Sequence, residues 1–227
     1  MLSIGEAVEF FRQVFEGLQF MHSCRVAHRD AMDLNIMMDP KPLYPNMFHP
    51  VRKDMDRSFK GKAKHYTRIA RPTKYYLIDF GLSRQYDPSI TEPLELPILG
   101  GDKTVPEFIA DYDQPYNPFH TDIYYVGNMI RETYLNKTRG LEFMSSLIAD
   151  MTQNDPEQRP NIDEVAQRFS TILKGLHWWT LRSRLVYSDE SHFKSFRRYV
   201  AHWVRTTGHI LFFHHALPTP PDAEPTV

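Results

Sequence analysis

Cysteine is almost absent: the 227-residue chain has one, Cys24, so no internal disulfide can form and the fold must hold by packing. That points to a reducing compartment, with Cys24 itself a small apolar residue. Long apolar runs are also missing. A membrane span needs about eighteen consecutive apolar residues, and the nearest candidate, AHWVRTTGHILFF at 201–213, is broken by His202, Arg205 and His209. Neither sign of charge dominates: 27 Lys and Arg against 28 Asp and Glu leave −1 at neutral pH. This excludes attraction of the whole surface to nucleic acid or to an anionic membrane and leaves only a local one. Glu6, Glu9 and Arg12 interrupt the first apolar stretch and exclude a secretory signal there. The expectation is a soluble, intracellular protein, cytoplasmic or nuclear, with no membrane contact.

What the chain does have is core material, 41% hydrophobic residues with fifteen Phe, twelve Tyr and three Trp, ample for one large domain or two small ones. Ile4, Val8, Phe11, Phe15, Leu18 and Met21 recur every three or four residues, and Ser3 stands three before Glu6 in capping-box spacing. This predicts an amphipathic helix ending near His22. HRDAMDLN follows at 28–35 as a loop, because Asp30, Asp33 and Asn35 favour turns, and the IMM of 36–38 predicts a short buried strand closed by Pro40, Pro42 and Pro45.

Residues 40–74 differ in character. From Arg52 to Lys74, nine Lys and Arg stand against Asp54 and Asp56, a local +7 that leaves about −8 for the rest. A charge run of this kind is usually a solvated insertion. The alternative is a docking surface for an acidic partner; nucleic acid is the weaker version of it, with only Phe59 and Tyr66 placed to stack on bases.

KYYLIDFGLS at 74–83 then repeats the strand-then-acid arrangement, running from Tyr75–Ile78 into Asp79 and Gly81. If the two strands pair across the insertion, Asn35 and Asp79 converge, and two such oxygens suit magnesium, which takes few protein ligands beside phosphate and water. Asp30 is then placed to accept a proton from an attacking hydroxyl.

At these residues the sequence resembles the large, C-terminal lobe of eukaryotic protein kinases. His28-Arg29-Asp30 with Asn35 matches that family's catalytic loop, Asp79-Phe80-Gly81 its magnesium-binding DFG, and Val105-Pro106-Glu107 the APE closing its activation segment. The resemblance implies Asp30 as base, Asn35 and Asp79 on magnesium, ATP as cofactor, and Met37 and Ile78 as the apolar floor against adenine. Without it, Met37 and Ile78 are simply strand residues of a core, and the two roles stand level. It implies further that Asp122, in HTDIYYVGNMI at 120–130, holds the backbone of the catalytic loop, and that Arg159 of DPEQRP pairs with Glu107. His28 is then a packed structural histidine, and Arg29 the residue a phosphorylated activation segment engages, with Ser83, Tyr86, Ser89, Thr91 and Thr104 as acceptor hydroxyls.

The sequence departs from the family too. The lysine that Ser/Thr members carry two residues after the catalytic Asp is Met32, beside an added acid at Asp33, and the arginine of tyrosine-specific members is replaced by Leu34. None of the ten glycines forms a GxGxxG, and a single helix precedes the loop, so the family's small lobe is absent from the sequence.

The fold expectation is therefore α+β, mainly α: a kinase-like large lobe over 1–177 with a short β-hairpin carrying the catalytic loop and DFG, and a basic insertion at 40–74. Additional helices follow over 178–213, packed through Trp178, Trp179 and Trp203, and then a proline-rich disordered tail over 214–227. His214 and His215 are adjacent and diverge on regular elements, which disfavours a metal pair. The function implied is ATP-dependent phosphoryl transfer to a protein hydroxyl, serine or threonine before tyrosine. The alternative is an inactive scaffold binding a protein partner; a fragment of a longer kinase, or a lobe supplied by another chain, also remains open.

Overall fold

The structure, a computed structural model, describes residues 3–98 and 101–221. The chain is mainly helical, with three two-stranded antiparallel sheets among the described residues. Helix α1 (Ile4–Ser23) starts at Ser3, whose side chain accepts from the Glu6 amide at 3.2 Å. The six apolar positions that predict the helix are all buried. Two acids also lie inside: Glu9 is gripped by Arg12 at 2.6 Å, and Glu6 faces Arg68 at 3.8 Å. A buried carboxylate is tolerated only with partners of this kind.

The chain then turns at Arg25, which takes a positive φ, and forms β1 (Val26–Ala27), the loop, and β2 (Ile36–Met38). As anticipated, β2 pairs across the insertion with β3 (Tyr75–Leu77), in the register Ile36 to Leu77, Met37 to Tyr76 and Met38 to Tyr75. Alternation sends Ile36, Tyr75 and Leu77 against α1 and the core, and Met37 and Tyr76 outward. The insertion between them is irregular. Leu43, Ala63, Ile69 and Thr73 are buried in it, while Arg52, Lys53, Arg57, Lys60, Lys62, Lys64 and Arg71 are exposed.

After β4 (Arg84–Gln85), which pairs with β1, the segment to α2 (Pro106–Ala110) lies over α3 (Pro118–Ile130). α3 is the central buried helix, continuing into a π-helical turn over Arg131–Leu135. Then come β5 (Thr138–Arg139), α4 (Ser145–Met151) and α5 (Ile162–Gly175), the last opened by a reciprocal Asn161–Glu164 capping box. One core joins α1, α3, α4 and α5.

Beyond 177 the chain keeps building on that core. α6 (Trp178–Arg182) packs on α1, Leu185 is buried in the same cluster, and β6 (Val186–Tyr187) pairs with β5. α7 (His192–Leu211) is the last helix among the described residues. The three tryptophans, expected to pack the added helices, meet one another at the surface. Trp178 and Trp179 stack at 4.0 Å, Trp203 lies 5.8 Å from Trp179, and the first two keep nearly half their surface exposed, so the rings tie α6 to α7 at the surface. The tail differs from expectation. Residues 214–219 pack rather than dangle: the Ala216 carbonyl lies against Gly5 of α1, where a Cβ would collide with it, Leu217 joins the core and Thr219 bonds Glu9 at 3.3 Å. Rigid proline backbone loses little entropy on docking. Residues 222–227 of the expected tail lie outside the described residues.

Candidate functional site

Everything at the candidate site hangs on a carboxylate that no water reaches. Asp122 of α3 is fully buried and accepts from the backbone amides of His28 and Arg29 at 2.7 Å each, with His22 Nε2 at 3.1 Å. These donors offset the desolvation of the charge and pin the loop, whose sharp turn is made by Arg29 at φ 66. His28 is buried too. Its Nε2 lies 3.1 Å from the Ile78 carbonyl and its Nδ1 accepts from the Asp30 amide at 3.3 Å. The tautomer with hydrogen on Nε2 serves both, so His28 rivets the loop to the end of β3, the structural part expected of it.

Asn35 makes the second rivet. Its Nδ2 donates to the Asp30 carbonyl and to Asp30 Oδ2, both at 2.8 Å, and its backbone carbonyl accepts from the Ile78 amide at 2.9 Å. The sequence neighbour of Ile78 is Asp79, in the left-handed region at φ 60, with its side chain in solvent. Asp30, Asn35 and Asp79 are thus gathered at one end of the hairpin. The Asp30 carboxyl is held above the usual carboxylate range, first by burial and further by the charges of Asp79 and Asp122, against the opposing Asn35 hydrogen bond and His28. A base shifted that way is better matched to proton transfer near neutrality.

Magnesium fits the donors present. Asn35 spends its amide hydrogens on Asp30, which leaves Oδ1 for another partner, and the exposed Asp79 carboxylate supplies a charged oxygen beside it. Two protein oxygens with phosphate and water completing the shell is how this ion is commonly bound. Among the described residues no cluster of three or more His, Cys, Asp or Glu has metal-site geometry. Met37 and Ile78 flank these donors on the hairpin. Met37 is exposed, opposite the equally outward Tyr76, and Ile78 is half-buried, so together they form an open apolar shelf. Phe80 is exposed, 5.4 Å from the His28 ring.

The pairing of Arg159 with Glu107 forms as expected, bidentate at 2.8 and 2.5 Å and buried, with the guanidinium also bonding the Gln153 and His120 carbonyls. Of the five hydroxyls in the segment, Tyr86 is buried, Ser83 bonds the His28 carbonyl, Ser89 bonds Asp87 and Thr104 bonds Asp102; Thr91 is exposed.

Two residues that sequence reading missed change the picture. Glu95 sits between Arg29, at 3.6 Å, and Arg84, at 3.5 Å, so Arg29 already has an anion. Gly101, at φ 66, lies against Asp30 so closely that a Cβ there would strike Oδ1, an oxygen that is buried and has no hydrogen-bond partner among the described residues. The only sequence signal for it was the Gly100-Gly101 pair, which marks a turn and not its target. A surface cleft between α4 and α5, around Leu147, Arg168 and Ile172, reaches Arg159 but none of Asp30, Asn35, Asp79, Glu95 and Gly101.

No model of a known protein family matches the chain, and no curated protein matches it. The kinase resemblance therefore rests on the sequence motifs alone.

Proposed function

We propose that this chain is a kinase-type large lobe that binds magnesium–ATP and directs phosphoryl transfer to a protein hydroxyl, serine or threonine before tyrosine, inside the cell. The observation carrying the proposal is the double use of Asn35. Its side chain holds the candidate base Asp30, and its backbone holds the residue before Asp79. One asparagine thereby sets the base beside the two metal-ligand oxygens, an arrangement an acidic turn would not need.

In this reading Asp30 orients the substrate hydroxyl and accepts its proton as that oxygen bonds to the γ-phosphorus and the bond to the ADP oxygen breaks. Asn35 and Asp79 would hold the metal, which supplies charge neutralisation on the phosphates when bound. Met37 and Ile78 give the base of the nucleotide an apolar shelf. With Met32 where a lysine would meet the phosphate, and Asp33 adding negative charge, transfer by this chain is expected to be slow.

A non-catalytic scaffold is the second reading, and Gly101 favours it: the free oxygen of Asp30 is covered, so a substrate hydroxyl must displace that segment to reach it. Its partner would be acidic, on the exposed cations of the insertion.

Calorimetry of the purified chain with magnesium–ATP, against Asp79→Asn, separates the readings. Binding that requires magnesium and is lost in the variant, with both proteins melting cooperatively, is the expected result. A folded chain that ignores millimolar nucleotide would sink the enzyme reading.

A further inference from the structure

α7 is docked the wrong way round for a helix of a globular core. Apart from Trp203 against Trp179, at 5.8 Å, its contacts with the body are polar: the buried His202 places Nε2 2.7 Å from the Arg182 carbonyl, the buried Thr206 bonds His202 at 3.3 Å, Ser195 accepts from Arg184 at 2.8 Å, and His209 lies 3.2 Å from Thr67. The opposite face carries Phe193, Phe196, Val200, Val204 and Leu211, spaced three, four, four and seven residues apart on a single stripe, and all are exposed, Phe193 by 74% and Val204 by 70%. Phe212 and Phe213, just beyond the end of the helix, are also in solvent. The ridge runs the full length of the helix, about 30 Å at 1.5 Å per residue. An apolar surface of that extent marks an interaction site.

Charge selects the occupant. α7 contains Lys194, Arg197, Arg198 and Arg205 and no acid. Arg198 is spent on Glu190 at 2.6 Å; Lys194, Arg197 and Arg205 are exposed and flank the apolar stripe. The Thr67–His209 contact sets the insertion, with its exposed Lys62, Lys64 and Arg71, beside the same helix. A second copy of the chain would bring these cations against their own kind. The stripe is also a convex ridge along one helix, a shape that a soft planar surface receives without a preformed groove.

We propose that α7 is an interfacial anchor lying along an anionic lipid bilayer, with Phe193, Phe196, Val200, Val204 and Leu211 in the acyl boundary and Lys194, Arg197 and Arg205 on headgroup phosphates. No helix among the described residues is long and apolar enough to cross a membrane, so the helix lies on the surface. The near-zero net charge is no obstacle, because the attraction is local. This departs from the sequence expectation of no membrane contact, and it stands independently of the phosphoryl-transfer reading.

Flotation of the whole chain with phosphatidylcholine vesicles, with and without phosphatidylserine, tests it. Binding is expected only with phosphatidylserine and should fall steeply with added salt. Lys194→Gln with Arg197→Gln should weaken partitioning on the order of tenfold, and Phe196→Ser with Val204→Ser at least about as much, since each removes contacts of similar worth. All four side chains are exposed, so both double variants should melt like the parent. Tryptophan emission of Phe196→Trp should move to shorter wavelength on the mixed vesicles. No binding to either vesicle overturns the proposal. So does binding that ignores the serine substitutions, which would be adsorption by charge alone. A concentration-dependent dimer that the serine substitutions dissociate would assign the stripe to a second copy instead and likewise overturn it.

Discussion

α1 and α7 are both twenty-residue amphipathic helices, yet α1 buries twelve residues and α7 buries two, His202 and Thr206. In α1 the apolar stripe meets α5, β3 and α6, each bringing apolar side chains of its own. In α7 the stripe meets solvent, and the polar side is held by Arg182, Arg184 and Thr67. An apolar stripe shows which face gains by leaving water; which face docks depends on what other elements offer.

The widest gap between the two helices should appear on truncation. Phe11→Ala, in the centre of the core, is expected to cost about 3–5 kcal/mol in urea unfolding, whereas Val204→Ser should change stability by less than about 0.5 kcal/mol. A comparable cost at Val204 would break the comparison, because it would mean the stripe is covered in the protein alone. A smaller difference lies at the helix starts. Ser3 caps α1 through its side chain, while Ser191, at the equivalent position of α7, makes no side-chain capping bond. Ser3→Ala should therefore lose about 1 kcal/mol and Ser191→Ala close to nothing, read as a difference between their urea midpoints.

The subtlest effect is in acid. Burial pushes the His202 imidazole below its ordinary value of 6.5, with Arg205 and Arg184 adding to the shift while the Arg182 carbonyl and Glu6 oppose it. His209 moves the same way, by burial first and then by His214, Arg182 and Arg205. The docked helix thus favours neutral imidazoles, so this part of its stability is present above pH 6.5 and drains away as pH falls below it. Near-ultraviolet circular dichroism of the Trp178–Trp179–Trp203 stack should weaken over that range and titrate less in His202→Gln. A signal flat through that range in the parent would show that the polar docking face is insensitive to charge.

Much of the fold was legible. Period and capping predicted α1 to within a residue at its end, and two apolar runs bounded by turn residues predicted the β2–β3 hairpin across thirty-six intervening residues. Asp30, Asn35 and Asp79 were marked as candidates by turn-favouring residues beside two apolar runs, while the hold of Asp122 on the loop and the Arg159–Glu107 pair were expected only from the family resemblance; those contacts form. Gly101, Glu95, the tryptophan stack and the docked 214–219 were not. Each acquires its part from a residue far away in sequence, Asp30 for Gly101 and Gly5 for Ala216. No local period encodes such a meeting.

By itself the sequence determined the mainly helical composition and the amphipathic stripe of α1, and it marked the candidate site residues, since these depend on residue type and on short spacings. The tertiary structure alone decided that Gly101 lies over the Asp30 oxygen, that Glu95 occupies Arg29, and that α7 turns its apolar face outward. Such choices depend on which surfaces remain free once the core has closed, and that is settled by the whole chain packing at once.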